Sequence, residues 1–456
     1  MRSIIVVSAL IVYLLVMLWI GFNAKKHTRS GSAFASGGRS FPAWLIAGMM
    51  LSEYIGSSVS IGTAQAGFLS GISAAWALFG FALGFLLFGM IMASRYKSSG
   101  HNTVSGVLCD AYGSRVRYAA SALSIIALSI VTVALYAGGG AVLASAIGIS
   151  RTQAILICGA VTVILVIMGG LRSVIYSNFI NTLLKALGVT LALVWALKQS
   201  GGISHLQQHL PSQMLNITSV GGGQIIAWVL AGVGSIFATQ YLIQAIVQTP
   251  SPKIARRACN YTFILMIPFG LALAMIGVCS AYLYPEIQSI NAFPEVIAHM
   301  PAWSASIAVI GIAGAMFGAV SANTMACATL FTKDFYDVFV NTSGSEKKSL
   351  RCAQAATIVL GVAPLILAIF ADQILAIAFL GKALRASLAV LIILSFYAPR
   401  FGSNTGALAG IIISVIGTIG WFLAENPFGI NSTYIAFLVP LVVMTVSHLF
   451  KKRVYE

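Results

Sequence analysis

Long apolar runs, separated by short polar stretches, dominate the pattern along the chain. A run of about 18 or more apolar residues is long enough to cross a bilayer as a helix, and about thirteen such spans are predicted. The predicted spans cover residues 4–22, 43–67, 74–94, 119–147, 153–170, 177–197, 224–246, 261–284, 304–331, 353–371, 374–396, 404–423 and 433–450. The pattern therefore predicts an all-α polytopic membrane protein.

The composition agrees with this class. Hydrophobic residues make up 59% of the chain and charged residues only 8%, whereas a soluble domain has about 25% charged residues. No segment between spans reaches the roughly 100 residues of a separate soluble domain, so residues 1–456 are predicted to form one transmembrane domain. The six cysteines have no metal-binding spacing and are interpreted as small buried apolar residues.

The formal net charge of +16 raises the question of a nucleic-acid partner. Lys and Arg are concentrated in alternate loops, however, and the opposite loops hold only Arg2, Arg151 and Lys198. This asymmetry is a topology signal. It places the N-terminus outside and the C-terminus in the cytoplasm of a plasma membrane, here a bacterial inner membrane. The predicted partners are the lipid bilayer and a small solute, with no nucleic acid. Span 4–22 lacks a convincing cleavage site and is predicted to remain as an extra N-terminal span.

The second span carries groups that a simple membrane anchor does not need. Glu53 lies in an apolar run, with small hydroxyl residues and two glycines close behind it. Such groups are costly in hydrocarbon and are retained where they face a cavity or another helix. The stretch 47–76 is therefore predicted to be a broken helix that lines a substrate path.

Four segments resemble known sequence motifs, and they occur in the same order as in the family that carries them. They are GFLSGISAAW at 67–76, GGLRSVIYSNFIN at 169–181, ATQYLIQ at 238–244 followed by ARRA at 255–258, and ATLFTKDFYDVF at 328–339. Together they resemble the sodium:solute symporter family, which includes bacterial proline, sugar and sialic-acid symporters.

The resemblance implies a leucine-transporter-type fold. Two inverted five-helix repeats would be formed by spans 2–6 (residues 43–197) and spans 7–11 (residues 224–396), with two further C-terminal spans in 404–450. The first helix of each repeat would be broken, near 52–62 and near the GVGS sequence at 232–235. Unwound backbone at such breaks can bind ions and polar substrates. The implied function is secondary transport of a small polar solute by alternating access.

The resemblance also implies a sodium site between the first and eighth core helices. The implied positions are the carbonyls of Ser52, Ile55 and Ala315, the paired hydroxyl positions Gly318 and Ala319, and the nearby aspartate position Asn178. Sodium is a hard cation that prefers oxygen ligands. The last three residues all remove side-chain oxygen or negative charge, so sodium binding is doubtful, although a one-turn shift in alignment would restore a hydroxyl.

Lys185 follows Asn178 by seven residues, nearly two helical turns, so the two lie on similar faces. Its amine can drop towards the sodium position and donate to the same carbonyls. Some amino-acid transporters of the same fold use a lysine in this way, coupled to protons, and burial favours release of an ammonium proton. Three readings remain open: a sodium-independent or proton-coupled transporter, a structural lysine that snorkels or pairs with Glu53, and a conventional sodium symporter with misaligned ligands.

Two further cations suggest an anionic substrate. Lys382 and Arg385 are three residues apart on one helix, and with Lys185 they exceed Glu53 by two positive charges. Uncompensated charge in a bilayer is costly, so a monocarboxylate, an acidic sugar or an amino acid fits. Alternatively, Arg385 bonds backbone carbonyls and Lys382 faces water.

The remaining predicted substrate contacts are polar residues along the broken helices. They are Ser57, Ser58, Gln65, Ser235 and Thr239, and the glutamine is equally suited to a helix-to-helix hydrogen bond. Other classes fit less well. Catalytic motifs are absent from the sequence, so an enzyme is not predicted, and neither a channel filter nor a soluble signalling domain of a sensor module is present. No cofactor is predicted beyond a coupling sodium ion or proton.

Overall fold

The computed structural model describes residues 2–25, 41–371 and 373–450, apart from the side chains of residues 2, 3, 21, 24, 25 and 165–173. Every regular element in this described part is helical. Nine of its helices are long and apolar enough to cross a membrane, or ten if one bent pair counts as a single span. Each predicted span falls on a helix or a pair of helices, while the total of thirteen crossings stays a prediction.

The first half of the chain contains a pair of helices that meet at a break. Further along, two short helices precede a long one. The elements are α1 (Arg2–Lys25), α2 (Ala43–Tyr54), α3 (Ser57–Ser70), α4 (Trp76–Leu87), α5 (Ala93–Ser99), α6 (Val104–Tyr112), α7 (Ser114–Ile147), α8 (Arg151–Gln199) and α9 (Ile203–His209). A 3₁₀ turn, Gly71–Ala75, precedes α4, and a π turn, Phe88–Met92, joins it to α5.

The second half also begins with a broken helix. Its elements are α10 (Gly222–Phe237), α11 (Gln240–Val247), α12 (Pro252–Leu283), α13 (Ala292–His299), α14 (Ala302–Phe331), α15 (Glu346–Ala368), α16 (Ile374–Tyr397), α17 (Asn404–Leu423) and α18 (Ser432–Leu449). A π turn, Thr332–Tyr336, carries α14 on to a last helical turn that ends at Phe339.

Helix α8 differs from the sequence prediction. Two spans, 153–170 and 177–197, were expected with a loop between them, but the helical backbone continues without a break through 49 residues. The segment between the two predicted spans, 171–176, contains no proline, and two glycines directly precede it at 169–170. A glycine lowers helix stability by only about 1 kcal/mol relative to alanine, whereas proline removes a hydrogen bond outright.

Helices α14 and α16 form the centre of the molecule. Almost all of α14 is buried, and it packs against α7 and α8. The N-terminal helix α1 packs on α8 and α14, and the pair α17 and α18 packs against α16. These peripheral helices expose large apolar side chains such as Trp19, Ile416 and Leu438. Exposed apolar surface of this kind suits contact with lipid.

At the predicted cytoplasmic end, a buried carboxylate joins three elements. The Asp334 carboxylate accepts hydrogen bonds from the hydroxyls of Ser105 in α6 and Ser121 in α7. Arg117 Nε donates to Asp334 Oδ1 at 2.7 Å, and its guanidinium also reaches the Lys333 carbonyl at 3.0 Å. A buried carboxylate needs such partners because an unpaired charge is costly. The network therefore fixes the end of α14 against α6 and α7.

Candidate functional site

The first helix break lies between α2 and α3, inside the region predicted for it. Tyr54 ends α2, and Ser57 begins α3 after Ile55 and Gly56. Gly56 has an ordinary negative φ of −62°, so conformational freedom is not the reason for a glycine here. A Cβ at this position would lie 2.6 Å from the Leu135 side chain. The glycine therefore allows the break to pack closely against α7.

The carbonyl oxygens at the end of α2 are occupied by the Lys185 ammonium. Nζ donates to Ile55 O at 2.7 Å, to Ser52 O at 3.2 Å and, more weakly, to Leu51 O at 3.5 Å. Lys185 is fully buried. An ammonium has three donors, and the C-terminus of a helix attracts positive charge. The amine thus lies among the same carbonyls that the family resemblance implies for sodium.

Helices α8 and α14 meet in a one-to-one register of polar residues and glycines. A Cβ at Gly311 would lie 2.8 Å from Lys185 Cα, and one at Gly314 would lie 2.9 Å from Asn181 Oδ1. One turn further, a Cβ at Gly318 would overlap Asn178 Oδ1 and lie 2.8 Å from both Asn178 Cγ and Asn181 Nδ2. We call this arrangement the polar–glycine ladder: residues 178, 181 and 185 of α8 facing 318, 314 and 311 of α14.

Asn178 fills the space in which a sodium-binding hydroxyl would stand. Its Nδ2 donates to Val174 O at 2.9 Å and to Gly318 O at 3.3 Å. The neighbouring Ala315 and Ala319 are buried and carry no side-chain oxygen, and Ser321 Oγ donates within its own helix to Phe317 O at 2.6 Å. With the ammonium on the α2 carbonyls, the residues present do not fit a sodium ion.

The second helix break is displaced from its predicted position. The GVGS sequence at 232–235 is helical, and the chain bends by 48° between α10 and α11, at residues 238–239. The glycines serve close packing instead. A Cβ at Gly232 would lie 2.7 Å from Gly80 O in α4, and one at Gly234 would lie 2.8 Å from Ala386 Cα in α16. The prediction was wrong here because small residues mark close helix contacts as well as breaks.

The Thr239 hydroxyl, at the second break, connects three helices. It donates to Ser235 O and accepts from Arg385 Nη1 at 2.7 Å. Tyr54 Oη lies 2.8 Å from the same oxygen. A hydroxyl has only one proton to donate, so Tyr54 is the donor in this pair. Arg385 Nε also donates to Gly381 O at 3.3 Å. Arg385, a predicted substrate residue, is therefore held by hydrogen bonds to other residues of the protein.

The charged groups of Glu53 and Lys382 have fewer hydrogen-bond partners than those of Lys185 and Arg385. Both are buried, at 6% and 3% exposure. Glu53 Oε2 and Lys382 Nζ have no hydrogen-bond partner among the described residues. The ion pairs with an N–O distance within 4.0 Å in that part of the chain all lie elsewhere. The Tyr241 side chain hydrogen-bonds Glu53, and the charges of Arg385, Lys382 and Lys185 act on it from further away. A direct pairing of Lys185 with Glu53, one of the alternatives left open by the sequence, is therefore not formed.

Aromatic rings surround the Lys382 ammonium. Nζ lies 4.1 Å from the ring centroid of Phe81, 5.3 Å from that of Phe379 and 6.0 Å from that of Tyr54. Cation–π attraction contributes about 2 kcal/mol when desolvated. Transfer of an ammonium out of water costs several kcal/mol. The rings therefore offset only part of the cost of burying the ammonium. An anionic group on a ligand would stabilise the buried ammonium further.

Some of the other predicted substrate residues already use their polar groups in hydrogen bonds within the protein, and one does not. Ser57 Oγ donates to Leu135 O at 2.7 Å, and Ser235 Oγ donates to Gly232 O at 3.0 Å, so both hydroxyls are already used. Ser58 Oγ is buried without a partner. Gln65 Nε2 bonds Ser289 Oγ at 3.3 Å, away from the charged residues.

Gln65 lines a cavity of about 360 Å³ on the predicted outer side, between α3, α10, α16 and the α17–α18 connection. Phe379 and Trp228 lie on the wall of this cavity. Their ring centroids are 6.2 Å apart, and Phe379 stacks on Phe81 at 5.6 Å. The three rings form a layer, called here the aromatic layer, between the cavity and Lys382.

The sequence reading missed several of these residues. Tyr54, Phe81, Phe379 and Trp228 appeared only as apolar positions within spans, and Asn181 appeared only as the last residue of a motif, with no role assigned to it. One signal was available. The glycine spacing 311/314/318 mirrors the polar spacing 178/181/185, and facing small residues are typical of tight helix pairs in membranes.

Comparison with known proteins puts these features in context. The model of the sodium:solute symporter family matches residues 34–414. The sodium/proline symporter of Salmonella typhimurium is 24% identical over 434 residues, which cover 90% of this chain and 86% of that protein. The osmoregulated proline transporter OpuE of Bacillus subtilis is 21% identical and covers 99% of this chain and 96% of its own length.

A solved structure gives the same picture of the fold. A Na⁺-coupled sialic acid symporter in a substrate-bound outward-open state matches with a TM-score of 0.85 and 18% identity, over 98% of each chain. The leucine-transporter-type fold expected from the motifs is thereby confirmed. These relatives are transporters and not enzymes, and the family description suggests sodium as a coupling ion.

Proposed function

Because this chain belongs to the sodium:solute symporter family, and is therefore a membrane-embedded solute transporter, we propose that it moves a small carboxylate, amino acid or acidic sugar with the Lys185 ammonium in place of sodium. It would act by alternating access in a bacterial inner membrane, with its C-terminus in the cytoplasm. Coupling would be to protons, or absent.

One observation carries this proposal: Lys185 Nζ donates to Ile55 O at 2.7 Å and to Ser52 O at 3.2 Å. A sodium ion at those carbonyls would stand within a few ångströms of the ammonium, and like charges at such a distance repel strongly in a low-dielectric interior. The opposite wall supports the same reading, because Asn178 occupies the space at Gly318 where a ligand hydroxyl would be needed.

The relatives named above for proline and for sialic acid favour a solute that bears a carboxylate. Proline and sialic acid, named for the relatives, both carry one. In this chain the intramembrane cations Lys185, Lys382 and Arg385 exceed the single carboxylate Glu53, and all four side chains are buried. An anionic group on the substrate would reduce that excess, and charge inside a membrane protein is usually matched in this way.

Sodium dependence is the decisive test of the coupling. Purified protein should show the same thermal stability in 200 mM sodium chloride and in 200 mM choline chloride, whereas a sodium site would stabilise the folded state by mass action. Lys185→Met should abolish proton-coupled uptake in proteoliposomes, with Lys198→Met, at the end of α8, as the matched control. Normal proton-coupled uptake by Lys185→Met would refute the role of the ammonium.

The transport assay needs its own control. Proteoliposomes loaded with a pH-sensitive dye would receive L-proline, N-acetylneuraminate or 3-phenylpropanoate, and protein-free liposomes would report the passive entry of the protonated acids. Sodium-specific stabilisation, or uptake that requires a sodium gradient, would instead support the alternative of a conventional sodium-coupled symporter.

A further inference from the structure

Lys382 differs from the other two buried cations in the hydrogen bonds of its charged group. Lys185 donates to three backbone carbonyls, and Arg385 bonds Thr239 Oγ1 and Gly381 O. Lys382 Nζ donates no hydrogen bond to any described residue, although the side chain is only 3% exposed. An ammonium can donate three hydrogen bonds. Of the three buried cations, Lys382 is therefore the one whose donors remain open.

The local charge specifies how many negative charges a ligand should carry. The Lys185 charge is held at the first helix break by the carbonyls at the end of α2. Lys382 and Arg385 act on Glu53 more strongly than Lys185 does, and these two cations and the one carboxylate have a formal sum of one positive charge. A monoanion makes this sum zero. A zwitterion leaves it unchanged, and a dianion reverses its sign.

The surroundings of Lys382 specify the body of the ligand. Phe81, Phe379 and Tyr54 present their rings to Nζ. The two hydroxyls at the second break are already used, because Thr239 is bonded to Arg385 and Ser235 is bonded to its own helix. Apolar walls with a single charged group are typical of sites for amphipathic small molecules.

The cavity on the predicted outer side gives a second indication of the kind of ligand that reaches Lys382. Among the described residues, the wall of the 360 Å³ cavity carries no charged side chain, and it ends at Phe379 and Trp228 of the aromatic layer. A ligand entering from the predicted outer side would therefore displace aromatic rings before it met a charge. Such displacement favours an apolar body over a strongly hydrated one.

We propose that Lys382 binds the carboxylate of an apolar monocarboxylate that has no ammonium group, with the body of the ligand against Phe81 and Phe379. This inference rests on the proposed function as a carrier of organic solutes and narrows its substrate class. An amino acid would bring its ammonium beside the two cations Lys382 and Arg385. An acidic sugar would bring hydroxyls to aromatic walls.

A matched ligand series tests the proposal on the purified full-length protein. The probes share one phenyl body: 3-phenylpropanoate as the monoanion, L-phenylalanine as the zwitterion and 3-phenylpropanamide as the neutral isostere. Gluconate serves as the hydroxylated anion. We expect saturable thermal stabilisation by 3-phenylpropanoate, with binding at least tenfold tighter than for any of the other three.

Substitutions of Lys382 identify the anchor. Lys382→Gln should abolish the stabilisation by 3-phenylpropanoate, Lys382→Arg should retain most of it, and Lys198→Gln, which removes a lysine charge from the end of α8, should leave it unchanged. If Lys382→Gln does not fold, the ligand series on the unsubstituted protein and on Lys382→Arg still decides the question.

The inference is overturned if Lys382→Gln binds 3-phenylpropanoate normally, if L-phenylalanine or gluconate binds more tightly, or if no probe in the series stabilises the protein. A separate result addresses the proposed function. If 3-phenylpropanoate binds in the expected way but proteoliposomes do not accumulate it above protein-free liposomes, transport of this solute fails while the binding site stands.

Discussion

Gly318 and Asn178 are packed so closely that a substitution at one position should change the stability cost of a substitution at the other. A Cβ at Gly318 would overlap Asn178 Oδ1 and stand 2.8 Å from Asn178 Cγ. Replacing the glycine with serine, the kind of hydroxyl residue that the family resemblance implies here, forces the amide to move. We therefore predict that Gly318→Ser destabilises the folded protein.

The magnitude follows from what the amide would lose. Asn178 Nδ2 donates to Val174 O at 2.9 Å and to Gly318 O at 3.3 Å, and the side chain is fully buried. Each hydrogen bond contributes about 0.5–1.5 kcal/mol, so the loss of both costs about 1–3 kcal/mol. Overpacking of a core costs about the same, roughly 1–3 kcal/mol, if the amide stays and the helices separate.

A double-mutant cycle measures the effect. The free energy of unfolding would be obtained by SDS titration in mixed micelles for the unsubstituted protein, Gly318→Ser, Asn178→Ala and the double variant. Serine should cost about 1–3 kcal/mol beside asparagine and clearly less beside alanine, where only the contact with Asn181 Nδ2 remains, so that the coupling energy is about 1 kcal/mol. Gly420→Ala is the control, because a Cβ there meets nothing within 4 Å.

Two results would refute the reasoning. If Gly318→Ser is as stable as the unsubstituted protein, the register of α8 against α14 is not the one described. If serine costs the same in the Asn178→Ala background, the strain lies elsewhere and the two positions are independent. Gly420→Ala should be neutral or slightly stabilising, because alanine reduces the conformational entropy of the unfolded chain.

Three further predictions concern other contacts, each measured by the same SDS titration. Ser57→Ala removes a hydroxyl that bonds the α7 backbone and should cost about 1 kcal/mol of stability without changing ligand affinity, and a loss of affinity at full stability would contradict this structural role. Asp334→Asn leaves the Arg117 guanidinium without its buried partner and should cost about 3–5 kcal/mol; a cost below about 1 kcal/mol would contradict a buried pair. Gly232→Ala forces a methyl group into the α4 backbone and should cost about 1–3 kcal/mol, whereas Gly222→Ala, which meets nothing within 4 Å, should not.

The helical pattern and the neighbourhood of the first break were predictable from the sequence because they depend on local properties. Apolar run length marks the spans, and a carboxylate with hydroxyl residues in an apolar run marks a break. Helical periodicity relates Lys185 to Asn178, since seven residues return to nearly the same face. In the structure the two side chains lie in one ladder, and Nζ lies at the Ile55 carbonyl.

Other features depend on contacts between distant segments. The Thr239 hydroxyl bonds Arg385, 146 positions away, and lies beside Tyr54, 185 positions away. Asn178 and Gly318 are separated by 140 positions. The matching spacing within each helix does not by itself indicate which glycine faces which polar residue. The displaced second break has the same origin, because the role of the glycines in GVGS is set by α4 and α16 and not by their own helix.

The Thr239 hydroxyl has a mechanical consequence for the transport cycle. The two helix breaks are the places where the broken helices can bend, and this one oxygen receives Tyr54 from the first and belongs to the second. Arg385 clamps it from α16. Bending at either break alone would give up a buried hydrogen bond, at a cost of about 0.5–1.5 kcal/mol, so these bonds couple the two breaks. In the proposed alternating-access cycle, such coupling would disfavour a state that is open to both sides, through which the solute would leak down its gradient.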